Sequence, residues 1–258
     1  MSSNTPQLWD KLWATSVSTE EDLFKLAQEE NCIRWQRLEH IVQHEFGKFD
    51  GLRVIEIGAG AGTNAALMAK RGAQVTILDY SEAALKRSQE FFARNSVSAQ
   101  MICQNALALP SDMQGQYDVA MSFGLTEHFR GAARLQINKA HFDVLRRGGI
   151  AFISVPNKFN PPYRIYKFAA ELLRMWKVGE EYPYSRAELH RICKQIGVRD
   201  YGFFGDDFRQ SLHFISPLYA AGRLLKCKPN YSITGLKKET GTRLDAHFAY
   251  ALVLYGKK

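Results

Sequence analysis

The sequence predicts an α/β fold, a largely parallel sheet with helices over both faces. Three observations carry that expectation. Short β-branched apolar runs alternate with segments of helical periodicity from about residue 53 onward, the pattern of a chain that winds repeatedly over one sheet. The first run closes in a glycine-rich turn that opens into a helix, a connection that lets the backbone approach a ligand closely. The chain has 258 residues, 46% hydrophobic and 23% charged. That composition excludes a mostly disordered polymer and supplies a core without disulfide or metal staples.

Residues 1–47 read as helical: Leu23, Leu26 and Ala27, then Trp35, Leu38, Ile41 and Val42, recur at spacings of three and four. Residues 53–58 (RVIEIG) form the first strand and residues 63–71 the helix after it. Residues 73–80 (AQVTILDY) form the second strand, and Ser81 is a natural N-cap for a helix over 81–95. A third strand is expected over 98–106 and a fourth over 117–124 (YDVAMSFG). A helix over 135–146, closed by Gly148 and Gly149, leads to a fifth strand at 149–156. A helix at 185–196, a strand at 197–205 and a final strand at 247–256 (HFAYALVLYG) complete the chain.

Two connections are long, 157–184 and 207–246. Long loops in compact domains carry function or structure of their own. Both leave the carboxyl ends of strands, the edge where open α/β sheets bind ligands. The expected organisation is one domain over 1–258, with a helical lid segment at 1–47 and two cap insertions over the site.

The strongest local signal lies between Val54 and Thr63 (VIEIGAGAGT). Gly58, Gly60 and Gly62 alternate with alanines, so the spacing is GxGxG and the dinucleotide fingerprint GxGxxG is not met. Glu56 lies inside the first strand and Asp79 at the end of the second. A carboxylate there can accept hydrogen bonds from both hydroxyls of a ribose.

This constellation resembles the class I S-adenosylmethionine-dependent methyltransferases, in their small-molecule branch. The resemblance runs from about Leu52 to Pro156 through EIGAGAG, LDYS, NALALP, YDVAMSFGLTEHF and VLRRGGIAFISVPN. It implies a doubly wound, seven-stranded, mostly parallel sheet whose last strand is antiparallel, a Rossmann-like fold. It also implies S-adenosylmethionine as cofactor and S-adenosylhomocysteine as product. Gly58, Ala59, Gly60 and Gly62 would face the amino-acid part of the cofactor, with Glu56 organising the turn. Asp79 would hold the ribose, Tyr80 would lie on the adenine, Asn105 and Ala106 would meet the adenine edge, and Phe123 would sit near the methionine part. Many relatives carry Asp where this chain has Asn105.

Methyl transfer draws most of its rate from positioning donor and acceptor, with a base needed only when the acceptor must lose a proton. His128, in the loop after the fourth strand, is the candidate catalytic residue, and Glu127 precedes it. Tyr163, Tyr166 and His213 are candidates for the acceptor pocket because their loops lie at the ligand edge. Residues 160–163 (NPPY) resemble the motif of adenine methyltransferases that act on a flipped base. In that family the motif follows strand four, whereas here it follows strand five, so a loop built on two prolines is the plainer reading. Trp9, Trp13 and Trp35 suit either a lid or packing. His40 and His44 have metal-ligand spacing but no third partner in the sequence, and no metal is expected.

Lys and Arg total 34 against 26 Asp and Glu, a balance of +8, but the charges are dispersed. No arginine-rich arm accompanies them, so nucleic acid is disfavoured as a partner. Cys32, Cys103, Cys193 and Cys227 show no CxxC or zinc spacing. No run of about 18 apolar residues appears, and the first residues lack a secretory pattern, so a cytoplasmic enzyme is expected. Residues 163–176 and 214–228 are apolar with basic residues at intervals, fit to roof the pocket or touch a membrane surface. The expected activity is O- or N-methylation of a small, hydrophobic or aromatic acceptor by a monomer or homodimer. A nucleic-acid adenine methyltransferase and a non-catalytic cofactor binder are the alternatives.

Overall fold

The computed structural model describes residues 4–15, 17–176, 178–217 and 231–258. Cys227, Tyr219 and most of the 214–228 stretch lie outside them. Three helices lead the chain: α1 (Pro6–Trp13), α2 (Thr19–Asn31) and α3 (Ile33–Phe46). The alternating part follows as β1 (Arg53–Ile57), α4 (Thr63–Lys70), β2 (Gln74–Asp79), α5 (Glu82–Arg94), β3 (Gln100–Cys103), β4 (Tyr117–Phe123), α6 (Gly131–Asp143) and β5 (Leu145–Pro156). It ends with α7 (Pro161–Leu172), α8 (Arg186–Ile196), β6 (Tyr201–Gly205) and β7 (Ala251–Lys257).

The strand order is β3-β2-β1-β4-β5-β7-β6. The first five strands pair in parallel, and β7 runs antiparallel to both β5 and β6. The expected doubly wound sheet with an antiparallel last strand is therefore the observed one. The strand order reverses between β1 and β4, and ligands bind open sheets at the carboxyl side of that reversal. Two apolar clusters sandwich the sheet. Trp35, Leu38 and Val42 of α3 pack with Phe91 and Phe92 of α5 on one face. Ile137 and Phe142 of α6 pack with Leu189 and Ile192 of α8 on the other.

Local chemistry starts the helices where the sequence places them. Ser81 accepts the Ala84 N–H at 3.1 Å, and Ser185 accepts the Glu188 N–H at 3.2 Å. A buried ionic knot ties α2 to α5: Asp22, fully buried, pairs with Arg87 and, at 2.7 Å, with Arg94. At the other end of this helical segment, Arg34 of α3 grips Glu29 through both carboxylate oxygens and reaches Asp206 at 3.2 Å.

Several boundaries differ from the periodicity. β3 ends at Cys103 because the chain turns away at Gln104, where a backbone bond to Asp79 O closes the pairing. α6 begins at Gly131 and stops at Asp143, and Leu145 already pairs in β5, so the basic Arg146–Arg147 pair lies on a strand. β6 starts at Tyr201 and β7 at Ala251. His247, expected in the last strand, sits in a helical turn at Asp245–Phe248 that Thr242 and Asp245 close.

Candidate active site

The turn between β1 and α4 is built from both sides. Gly62 is the N-cap of α4, in the left-handed region at φ 71°, and has no side chain with which to cap. Glu56, from inside β1, supplies the missing acceptor: its Oε2 takes the Ala65 N–H at 2.8 Å. Burial pushes the Glu56 carboxyl up to about 8, with the Ala65 hydrogen bond opposing it. A side chain at Gly62 would meet Ile77 and Phe92 at 2.9 and 3.0 Å. Gly62 therefore serves helix start and core packing, away from the cavity that Gly58, Ala59 and Gly60 line.

Asp79 ends β2 with each carboxylate oxygen holding one backbone donor, Ser81 N–H at 3.0 Å and Gly60 N–H at 3.3 Å. Burial raises its pKa and these two N–H groups pull it back. The carboxylate thus fixes the glycine turn and still has an unused lone pair on each oxygen. Gly60, at φ +55°, is further held by Ser88, whose hydroxyl donates to its carbonyl.

Between the carboxyl ends of β1, β2 and β4 lies a cavity of about 870 Å³. Asp79, Tyr80, Asn105, Ala106, Phe123 and His128 line it, as the sequence expects. Asn105 uses its side-chain oxygen to accept the Leu107 N–H at 2.9 Å, which aims its NH₂ outward as a donor. Helix α1 closes one side. Its Asp10 accepts the Ser81 hydroxyl at 2.6 Å, and Trp9 and Trp13 line the cavity, with the Trp13 ring directly over Gly60. Trp35 is different: it is fully buried in the core.

The wall beyond β4 brings together residues far apart in the chain. Asn157 bridges to Tyr184 in parallel, and Tyr182 N–H donates to Glu127 O at 2.9 Å. The Tyr184 hydroxyl donates to Thr126 O at 3.1 Å and accepts from Asn138. The segment 180–184 is thereby held beside Glu127 and His128. His128 Nδ1 is 2.8 Å from Glu180 O; a carbonyl only accepts, so Nδ1 carries the proton and Nε2 the lone pair. The Trp9 ring meets the imidazole edge-on at 4.8 Å. Burial lowers the His128 pKa and pushes the Glu127 carboxyl up to about 8.

Tyr163, Tyr166 and His213 do not line this cavity. Tyr163 is buried, donates its hydroxyl to Glu181 at 2.8 Å and packs on Tyr250 and Phe214. Tyr166 stacks on Phe214, and His213 is exposed on the turn Leu212–Ile215. The two insertions thus pack on each other through aromatics behind the cavity wall. Residues 160–163 are a helix start. Asn160 caps Tyr163 N–H at 2.8 Å and spends its NH₂ on Ser211 and Phe248 O, with prolines in the first turn of α7. Asn160 is fully buried, so neither it nor Tyr163 can receive a flipped base, and the nucleic-acid alternative falls on that geometry.

Sequence reading missed Asp10, Glu180, Glu181 and Tyr182. The signal for Asp10 was present as an acidic residue near a helix N-terminus in space, but nothing local pairs residues 10 and 81. The 180–182 segment has no pattern of its own and is placed by strand-end hydrogen bonds.

A family model described as a methyltransferase domain matches residues 54–149. The ubiquinone biosynthesis O-methyltransferase of Leptothrix cholodnii is 30% identical over 186 residues, 69% of this chain and 75% of that protein. The enzyme of the same name from Chromobacterium violaceum is 27% identical over 194 residues, 74% of this chain and 77% of that protein. The solved magnesium protoporphyrin IX methyltransferase of Synechocystis PCC 6803 with bound S-adenosylhomocysteine superimposes with a TM-score of 0.54 at 16% identity, over 87% of this chain and 83% of that one. At that identity the likeness concerns the fold.

Proposed function

Given that this chain belongs to the class I S-adenosylmethionine-dependent methyltransferases, we propose that it methylates a hydroxyl oxygen of a small, hydrophobic or aromatic acceptor. The observation that carries this is the convergence of the Gly58–Gly60 backbone, Asp79 and His128 on one apolar-walled cavity at the strand reversal. Relatives named for O-methylation support oxygen as the acceptor atom. The apolar wall of Trp9, Trp13, Leu125 and Phe129 supports an aromatic or hydrophobic partner.

When bound, S-adenosylmethionine supplies an electrophilic methyl group on a positively charged sulfur. Asp79 would hold the ribose hydroxyls, Tyr80, Asn105 and Ala106 would border the adenine, and Gly58, Ala59, Gly60 and Phe123 would border the amino-acid part; all of them line the cavity. Glu56 acts one layer behind, keeping α4 and the turn in place. Residues 4–15 form a lid over the site, in which Trp9 and Trp13 exclude water. His128 is the catalytic residue of this reading; it lines the cavity, and its Nδ1–H is held by Glu180 O.

Helix α7 presents Ile165, Phe168 and Leu172 outward, at 59%, 69% and 72% exposure. Lys158, Arg164 and Arg174 flank that face and are also exposed. An apolar stripe with basic flanks is the physical form of a peripheral contact with an anionic bilayer, and no helix of the described residues is long and apolar enough to cross one. The free thiols of Cys32, Cys103 and Cys193 suit a reducing cytoplasm.

The test is turnover. Purified protein with S-adenosylmethionine and a panel of phenols, aliphatic alcohols and amines is assayed for S-adenosylhomocysteine release. Phenols should turn over best; release with amines alone would replace oxygen by nitrogen as the acceptor atom.

A further inference from the structure

The segment that carries α1 is held at two points, and they touch different parts of the site. In the helix, Asp10 accepts the Ser81 hydroxyl at 2.6 Å and the Ala83 N–H at 3.4 Å, beside the end of β2. Just before the helix, Asn4 sits in a socket made by the wall beyond β4. Its Oδ1 accepts the Glu180 N–H at 3.0 Å. Its Nδ2 donates to Glu180 O at 3.1 Å and to His128 O at 3.0 Å. One side-chain amide thus uses both its acceptor and its donor side on backbone far away in the chain.

The socket is shaped for this side chain. Gly179, at φ +73°, lies in the left-handed region that glycine enters without steric cost. A Cβ there would run into Asn4 Oδ1 and meet Leu8 Cδ2 at 3.1 Å. Glu180 O also takes the His128 Nδ1–H at 2.8 Å. Asn4 therefore grips the backbone on both sides of the hydrogen bond that orients the imidazole. The helix that follows is one unit of eight residues, started by the Thr5 cap and Pro6. Trp9, from its middle, meets the same imidazole edge-on at 4.8 Å.

Resting on the methyltransferase reading above, we propose that Asn4 is a positioning residue for methyl transfer. By seating α1 on Gly179, Glu180 and His128, it ties closure of the lid to the orientation of His128 and of Tyr182 in the cavity wall. A helix held at Asp10 alone would keep Trp13 over Gly60, but the Glu180 backbone and the His128 carbonyl would lose the amide that joins them. Cofactor binding and acceptor positioning are therefore separable: the Asp10 end serves the first, and the Asn4 end serves the second. Misplacing a reacting group by about 1 Å costs about a hundredfold in rate, so a side chain that never touches the acceptor can still govern turnover.

The test uses the full chain. Asn4→Ala and Gly179→Ala disrupt one socket from opposite sides. Each should speed hydrogen exchange of the peptide 178–182 by at least about tenfold, because Glu180 N–H loses its acceptor. Each should lower kcat for the best phenol of the panel by about tenfold to a hundredfold, with S-adenosylhomocysteine affinity within about threefold of wild type. The double variant should be no worse than the worse single one, since both remove the same contact. A role in stability alone would lower the melting temperature and leave kcat unchanged wherever the variants stay folded. Wild-type exchange in both single variants, unchanged kcat after the socket is lost, or losses that multiply in the double variant would overturn the proposal. The exchange and affinity measurements need no acceptor. The parent reading fails separately: it is lost if the wild-type protein does not bind S-adenosylhomocysteine.

Discussion

Replacing Asp79 with alanine removes the one carboxylate that faces the cavity from β2. Each of its oxygens already holds a backbone N–H, from Ser81 at 3.0 Å and Gly60 at 3.3 Å, and each retains a lone pair for a ribose hydroxyl. A hydrogen bond to a charged acceptor contributes about 1.5–3 kcal/mol, so losing two costs about 3–6 kcal/mol. At about 1.4 kcal/mol per tenfold, S-adenosylhomocysteine affinity should fall by about 10²- to 10⁴-fold. The fold should survive with a lower melting temperature, because removal relieves the cost of burying the carboxylate but leaves the Ser81 and Gly60 N–H groups without their acceptor. Asp79→Asn keeps one acceptor oxygen and should lose less, about 10- to 100-fold. Isothermal titration calorimetry with S-adenosylhomocysteine measures all three proteins. An Asp79→Ala affinity within about threefold of wild type, in a protein that remains folded at the assay temperature, would refute the assignment.

Glu56 makes a pH prediction. Its folded pKa is raised from 4.5 to about 8, so between those values the folded state binds more protons than the unfolded one. Stability from this group is therefore lost as pH rises from 4.5 toward 8. Glu56→Gln keeps an acceptor for Ala65 N–H and should flatten the melting profile across that window; a profile parallel to wild type would contradict it. Asp22→Ala leaves Arg87 and Arg94 facing a gap and should cost about 3–5 kcal/mol in urea unfolding, as breaking a buried pair does. Phe168→Asp should abolish co-sedimentation with anionic vesicles while leaving S-adenosylhomocysteine affinity intact; undiminished sedimentation would remove α7 from the membrane contact.

The cofactor half of the site was legible because its demands are local. A turn that brings backbone against a ligand needs glycines, and a carboxylate at the end of the next strand is placed by strand register. Even there, the motif does not record that Gly62 packs against Phe92, since that neighbour comes from a helix outside the motif. Residues 160–163 looked like chemistry and proved to be a capped helix start, because the partners of Asn160 lie at Ser211 and Phe248. The wall beyond β4 was not legible. Glu181 meets Glu127 and His128 only because strand-end bonds from Tyr182 and Tyr184 lay that segment along the β4 loop.

The sequence by itself determined the parallel α/β core, the glycine turn and the acidic residue at the end of β2. All three are properties of short segments, whose periodicity and backbone freedom do not depend on the rest of the chain. Only the tertiary structure decided that Trp9 and Trp13 cover Gly60 while Trp35 does not. It alone decided that Asp10 anchors the covering helix, and that Glu127, His128 and Glu181 come together within 4.8 Å. Those facts depend on contacts between distant segments, and such contacts are chosen by the packing of the whole sheet and its helices, which no local pattern records.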